Sequence, residues 1–186
     1  MHMQIDTRFG TVRIVDEPTY TFGSQDNLRR YPLELCLDCS VSSVHGVELN
    51  ECSVMIVGAS GGGSSVYPHS AVVLDDKLYL AVGYRVACLS LDLPHRLVWS
   101  TQVDIATCFG IYWDNARRAL ISHGEIEIAR LSLDGNVIWS AGGADIFTEG
   151  VRLLPDYIEV VDFNHTVYRV DYVTGTSNIC RQGLDD

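Results

Sequence analysis

The sequence predicts an all-β protein built from propeller-like repeats of four-stranded antiparallel sheets. One observation is a repeated segment, read first as LSLDLPHRLVWS and then as LSLDGNVIWS. The copies begin at Leu89 and Leu131, and this separation of about 40 residues is typical of propeller blades. A further observation is that apolar and polar residues alternate along most of the chain, whereas no segment sustains a helical period over three turns.

Each repeat unit contains three alternating segments before a last strand, which carries tryptophan in the first two units, and this makes about four strands per unit. The segments are Ala71–Leu74, Lys77–Gly83 and Arg85–Asp92 in the first unit, Phe109–Trp113, Arg118–Gly124 and Glu127–Asp134 in the second, and Val151–Leu154, Tyr157–Asp162 and Thr166–Asp171 in the third.

The turns of the repeat agree with these strands. Asp134-Gly135 predicts a tight hairpin, because glycine accepts the positive φ that such turns need. In the third unit Thr174-Gly175 supplies the turn, and Ile179 stands where the earlier units have tryptophan.

The N-terminal part alternates as strands over Gln4–Val15 and Leu33–Val57 but shows no convincing copy of the repeat. Gly58–Ser65, which reads GASGGGSS, is expected to be a flexible loop between the two halves. We therefore expect one domain over residues 1–186, with N-terminal strands and this loop in 1–69 and the repeats in 70–180.

The repeats resemble the PQQ-type propeller repeat, in which a strand ending in Leu-Asp is followed by a turn with Gly and a strand with Trp. The matching residues are Leu91, Asp92 and Trp99, then Leu133, Asp134, Gly135 and Trp139, then Asp171, Thr174 and Gly175. The resemblance covers about Ser70–Ile179. It implies a propeller-type fold but no quinone chemistry, since the repeat is structural in most proteins that carry it, and no cofactor is expected.

Members of that family usually close a ring of six to eight blades, whereas this chain has three recognisable units. An open fan of three blades would expose sheet edges. Three solutions are open: the N-terminal strands form a degenerate fourth blade, two chains complete each other as a homodimer, or the sheets pack as an irregular sandwich.

The formal net charge is −11, which argues against a nucleic-acid binder because phosphates demand a basic face. An acidic surface favours encounter with a basic protein partner. The sequence shows no signal peptide and no apolar run long enough for a membrane span. These observations predict a cytoplasmic protein with no membrane association, whose six cysteines are free, buried thiols.

Gly58-Ala59-Ser60-Gly61-Gly62 fits the G-x-S-x-G pattern of a hydrolase nucleophile elbow. Ser60 with His69 or His45 is therefore the candidate catalytic group. No helix is expected after this segment, because Pro68 and a run of glycine and serine follow it, so a flexible loop is the favoured interpretation.

Cys36 and Cys39, with His45 and Cys52 downstream, have the ligand types of a zinc site. Residues three apart on a strand face opposite sides, so structural thiols are favoured and no metal is expected.

Three residues are candidates for binding. His123 and Glu125 lie at a turn between two repeat strands, and Trp113 lies at a strand end, where an aromatic residue can anchor a ligand. Two classes of function follow: a non-catalytic protein-interaction or binding module, and a hydrolase-type enzyme that uses the Gly58–Ser65 loop. Convergence of Ser60, a histidine and a carboxylate in one pocket would favour the enzyme.

Overall fold

A computed structural model describes residues 2–63 and 65–182, and it arranges them in four β-sheets that follow one another in chain order. The first sheet has five strands in the order β1-β2-β4-β5-β3, with β3 parallel to β5 and the other pairs antiparallel. Its strands are β1 (His2–Thr7), β2 (Gly10–Asp16), β3 (Leu33–Cys36), β4 (Ser43–Leu49) and β5 (Cys52–Ala59).

The other three sheets are four-stranded antiparallel blades in which the strands pair in simple sequential order. The first blade contains β6 (Ala71–Leu74), β7 (Lys77–Val82), β8 (Arg85–Ser90) and β9 (Arg96–Gln102). The second contains β10 (Cys108–Asp114), β11 (Ala119–Gly124), β12 (Glu127–Leu131) and β13 (Val137–Gly142), and the third contains β14 (Val151–Leu153), β15 (Ile158–Val161), β16 (Val167–Val170) and β17 (Ser177–Arg181). The predicted all-β, propeller-like class is confirmed.

Apolar clusters join each sheet to the next. One contains Met55 of the first sheet and Leu80 of the first blade, a second joins the first and second blades, and a third joins the second and third blades. The N-terminal sheet thus stacks on the blades as an additional unit. No apolar cluster of the described residues joins the third blade back to that sheet, so the stack is open.

The repeated tryptophans connect consecutive blades. Trp99 donates a hydrogen bond from Nε1 to the carbonyl of Leu133 (2.9 Å). Its ring packs so closely on Gly135 that a Cβ on this glycine would lie 2.6 Å from the nearest ring atom. Trp139 donates in the same way to the carbonyl of Tyr172 (3.0 Å) and packs on Gly175. Each tryptophan therefore contacts the turn of the following blade.

In the third blade Ile179 stands in place of tryptophan in the repeat, and its side chain is exposed. The face of this blade that points away from the second blade is charged. There Arg152 pairs with Glu159 across β14 and β15, and the Arg169 guanidinium lies 4.6 Å from the centre of the Tyr157 ring.

Two expectations need correction. Cys88 and Cys108 are buried in strands as expected, but Cys36, Cys39, Cys52 and Cys180 are exposed. Cys36, Cys52 and Cys180 lie at strand ends or on edge strands, and Cys39 lies in the bend after β3. The Gly58–Ser65 segment is not wholly a loop, since β5 continues through Ala59. Residues 2–63 and 65–182 contain no helix with the length and apolar character that a membrane crossing requires.

Candidate functional site

The loops that lead into the blades meet the turns of neighbouring sheets at one end of the stack. Backbone hydrogen bonds hold this end together: Tyr84 N–H donates to Ser60 (2.9 Å), Cys108 N–H to Gly83 (2.7 Å), and Glu125 N–H to Thr107 (2.8 Å). Because these bonds use main-chain groups, they fix the loop positions independently of the side chains.

Asp104 organises the loops around this end. Its buried carboxylate accepts hydrogen bonds from the backbone N–H groups of Ala106 and Thr107 through Oδ1, and of Ile126 and Glu127 through Oδ2. Four donors on one carboxylate connect the loop before β10 to the turn between β11 and β12. Thr107 and Glu125 are thereby held side by side.

A polar cavity of about 180 Å³ lies between the first sheet and the first two blades. We call it the polar cavity. Its side chains include those of Ser43, His45, Ser65, Thr107 and Glu125, with Tyr67 and Phe109 on one side.

His45 is the most unusual group in the polar cavity. The residue is 2% exposed, and neither ring nitrogen has a hydrogen-bond partner within normal limits in the described part of the chain. Burial lowers its pKa to about 4, although Asp16 and the nearby carbonyl groups of Ala81 and Ser65 favour the protonated form. At neutral pH the ring is therefore uncharged, with one N–H donor and one nitrogen acceptor.

Glu125 is half-buried and contributes a carboxylate to the same cavity. Its backbone is fixed on both sides, since its N–H donates to Thr107 and its carbonyl accepts from Phe147 (2.7 Å). Within the described residues, its carboxylate has no hydrogen-bond or ion-pair partner. This leaves a fixed acceptor at the cavity wall.

A second cavity, of about 380 Å³, adjoins the first and is lined mainly by rings. We call it the aromatic pocket. The Tyr67 and Phe109 rings meet edge to face at 5.8 Å between centroids, the His69 ring stacks on Tyr112 at 4.4 Å, and the His123 ring meets Phe109 at 5.4 Å. Tyr67 and Phe109 border both cavities.

His123 is fixed in the aromatic pocket by one hydrogen bond. Its Nε2 lies 2.8 Å from the carbonyl oxygen of Phe147, so this nitrogen carries the proton and donates. Burial lowers the pKa of His123, which keeps the ring neutral at physiological pH. The ring serves as part of the pocket wall.

Two of the predicted binding residues lie at this site and one does not. His123 lines the aromatic pocket and Glu125 lines the polar cavity. Trp113 packs, half-buried, against the cluster between the first and second blades, with the Arg118 guanidinium 5.9 Å from its ring centre.

The candidate catalytic residues are not brought together. Ser60 Oγ donates to the carbonyl of Ser40, and its N–H donates to Asp38 (3.0 Å). That carboxylate is already paired with Arg85 through bonds of 2.8 to 3.1 Å, and Arg85 holds the pKa of Asp38 below its usual range. His69 stacks on Tyr112 in the aromatic pocket, whose lining does not include Ser60.

The candidate metal ligands are also dispersed. Cys36 lies at the end of β3 beside Gly58, Cys52 pairs with Leu49 at the start of β5, and His45 is buried in the middle of the sheet. In the described ranges, no three His, Cys, Asp or Glu side chains are grouped so that they could hold a metal ion.

Sequence reasoning missed Tyr67, Phe109, Tyr112 and Thr107. Phe109 and Tyr112 belong to a predicted strand, and the alternation that identifies a strand does not reveal that its first residues border a cavity. The available signal was positional: Phe109 and Tyr67 both lie where a loop enters a blade, the end at which Glu125 and His123 were also placed.

No protein-family model and no curated protein sequence matches this chain. Among solved structures, a europium-containing methanol dehydrogenase aligns with a TM-score of 0.47 and 19% identity over 58% of this chain. Myxococcus xanthus glutaminyl cyclase aligns with a TM-score of 0.37 and 12% identity over 73% of this chain. The chain spans 23% of the length of the dehydrogenase and 67% of that of the cyclase.

Proposed function

We propose that this protein is a non-catalytic interaction module that binds a basic segment of a protein partner at the polar cavity and the aromatic pocket. The observation that carries the proposal is the composition of their walls. Aromatic rings and the unpaired Glu125 carboxylate line them, and neither lining includes Lys or Arg among the described residues.

Such walls suit a cation for two physical reasons. Aromatic faces attract ammonium and guanidinium groups through the ring quadrupole, and a carboxylate without a partner gains most from an incoming positive charge. The net charge of −11 would accelerate the encounter with a basic surface.

The PQQ-type assignment of the repeats is part of this proposal. It is supported by the contacts of Trp99 and Trp139 with the turn glycines Gly135 and Gly175, which give the repeated residues a shared packing role. We carry over no activity from that family.

Calorimetric titration with an oligolysine peptide, and with an oligoglutamate peptide of equal length, tests the proposal. We expect only the oligolysine to bind, with an affinity that falls as salt is added, because ionic strength screens the attraction.

Glu125→Gln should weaken the binding, whereas the matched control Glu127→Gln should not. Glu127 has the same charge but borders a different depression, beside Gln102 and Val137. Equal effects of the two substitutions would show that net charge alone attracts the peptide and would contradict a site at the two cavities.

A further inference from the structure

We infer that the polar cavity receives a primary ammonium group, that of a lysine side chain in the basic partner, and that His45 and Glu125 select it. This inference rests on the proposed function and specifies which cationic group is bound. The residues that carry it are the orphaned His45 ring, the Glu125 carboxylate and the aromatic border at Tyr67 and Phe109.

His45 presents a buried ring to the polar cavity. A buried polar group without a hydrogen bond is costly, so native structures leave few of them. Neither ring nitrogen of His45 has a hydrogen bond of normal geometry inside the described part of the chain, although the carbonyl groups of Ala81 and Ser65 lie near the ring, and the ring lines a cavity. An occupant that bonds to the ring would recover this cost.

The balance of donors and acceptors gives the chemistry of the occupant. The cavity offers the Glu125 carboxylate, one neutral nitrogen of His45 and the Thr107 hydroxyl as acceptors. A primary ammonium has three donors and no acceptor, and therefore matches such a set. An anion does not match it, because the described lining contains a carboxylate and no cationic side chain.

The two cavities would discriminate between forms of lysine. A trimethylated ammonium has no N–H to donate and gains its energy from aromatic faces, as in the aromatic pocket. A primary ammonium can use the same rings at Tyr67 and Phe109 and also bond to His45 and Glu125. Methylation should therefore reduce the affinity.

The test uses one peptide in four forms: acetyl-Gly-Gly-Lys-Gly-Gly-amide, its Nε-trimethyl and Nε-acetyl derivatives, and the arginine analogue. Binding to the whole chain is measured by NMR titration, which also locates the peptide through shifts of the residues around both cavities. We expect the unmodified lysine peptide to bind about tenfold or more tightly than the trimethyl and acetyl derivatives, the loss expected when a hydrogen bond to a charged group is removed. The arginine analogue should also bind more weakly, because its broad planar guanidinium presents five donors where the cavity offers three acceptors to a compact ammonium.

Two variants test the residues. His45→Phe keeps a flat aromatic ring, somewhat larger than imidazole, and removes both nitrogens, and Thr107→Val removes one hydroxyl at nearly constant shape. Both should reduce the preference for lysine over trimethyllysine. Thr107→Val keeps the test valid should His45→Phe fail to fold, which a thermal melt would show.

The outcomes separate this inference from the proposed function. If the trimethyllysine peptide binds as well as the lysine peptide, or if both variants keep the full preference, the inference is overturned while binding of a basic segment stands. If neither the four peptides nor oligolysine bind, the proposed function fails and the inference fails with it.

Discussion

His45 makes the folding stability depend on pH. In the unfolded chain a histidine titrates near its usual pKa of about 6.5, whereas burial lowers the pKa of His45 to about 4 in the folded protein. Between these values the unfolded state binds the extra proton. The stability that the neutral, buried His45 allows is therefore fully present above about pH 6.5, and the free energy of unfolding decreases as the pH falls towards 4.

The full loss corresponds to about 3 kcal/mol of unfolding free energy, from about 1.4 kcal/mol per pKa unit. We expect denaturant unfolding of the wild type to show this decline, and His45→Phe to flatten it over the same range. His123, whose pKa is also lowered by burial, adds a decline of the same sign that this variant keeps. His2→Gln, at an exposed position, is the control, and an equal flattening in that variant would contradict the assignment to His45.

At the scale of elements, the tryptophan strands are anchored unequally. Trp139→Ala removes a half-buried ring and its hydrogen bond to the third blade, so we expect a loss of about 3 kcal/mol. Ile179→Ala, at the corresponding position of the repeat sequence, should change stability by no more than about 0.5 kcal/mol, since that side chain is exposed. Chemical denaturation of both variants measures the difference, and equal losses would mean that the ring of Trp139 does not join the blades.

The turn glycine of the third blade has two reasons to be glycine. Gly175 has a φ of +71°, and a Cβ there would lie 2.7 Å from the Trp139 ring. Gly23 has a similar φ of +74° with no atom within 4 Å of such a Cβ. Gly175→Ala should therefore cost clearly more than Gly23→Ala, whose cost is of the order of 1 kcal/mol.

Thermal melts of the two alanine variants provide the comparison. In a Trp139→Ala background the excess cost at Gly175 should disappear, because the clashing ring is gone. If Gly175→Ala still costs more than Gly23→Ala in the Trp139→Ala background, the difference comes from the backbone conformation and not from a clash with the ring.

The blades were predictable because each carries its own local evidence. Alternation in β8 and β12 and the glycine at position 135 specify strands and a hairpin without reference to the rest of the chain. The N-terminal sheet was harder to predict, since its edge strand β3 pairs in parallel with β5 across an intervening hairpin. No local pattern records that pairing.

The site was predictable only in part. His123 and Glu125 stand out as polar residues at a turn, whereas His45 lies in β4, where all but the last residue are buried. The sequence does not show whether a single histidine in such a strand packs in the core or lines a cavity, because this depends on which loops cover it. Those loops come from separate sheets and are brought together by Asp104 and by backbone hydrogen bonds.

At the scale of the whole molecule, the described residues cover the outer face of one end sheet and place charged side chains on that of the other. The loop over residues 17–32 covers the outer face of the first sheet with Tyr20, Phe22 and Tyr31, and the third blade ends in the row of Arg152, Glu159 and Arg169. Burial of apolar area drives dimerisation through sheet faces, and here little such area remains.

We therefore expect sedimentation equilibrium to give the mass of one chain at low and at high ionic strength. Homodimerisation stays the alternative left by the sequence, and a dimer that persists at both ionic strengths would contradict the expectation and indicate an apolar contact through the sheets. A complex with a basic partner should instead dissociate as salt is added.

The tryptophan contacts run in one direction only, from each blade to the next, and they make the order of the blades non-interchangeable. A rearranged chain that carries the third blade before the second would leave Trp139 without a turn glycine to cover it. Ile179 would then face a turn to which it can donate no hydrogen bond. The blades therefore behave as ordered parts and not as equivalent modules.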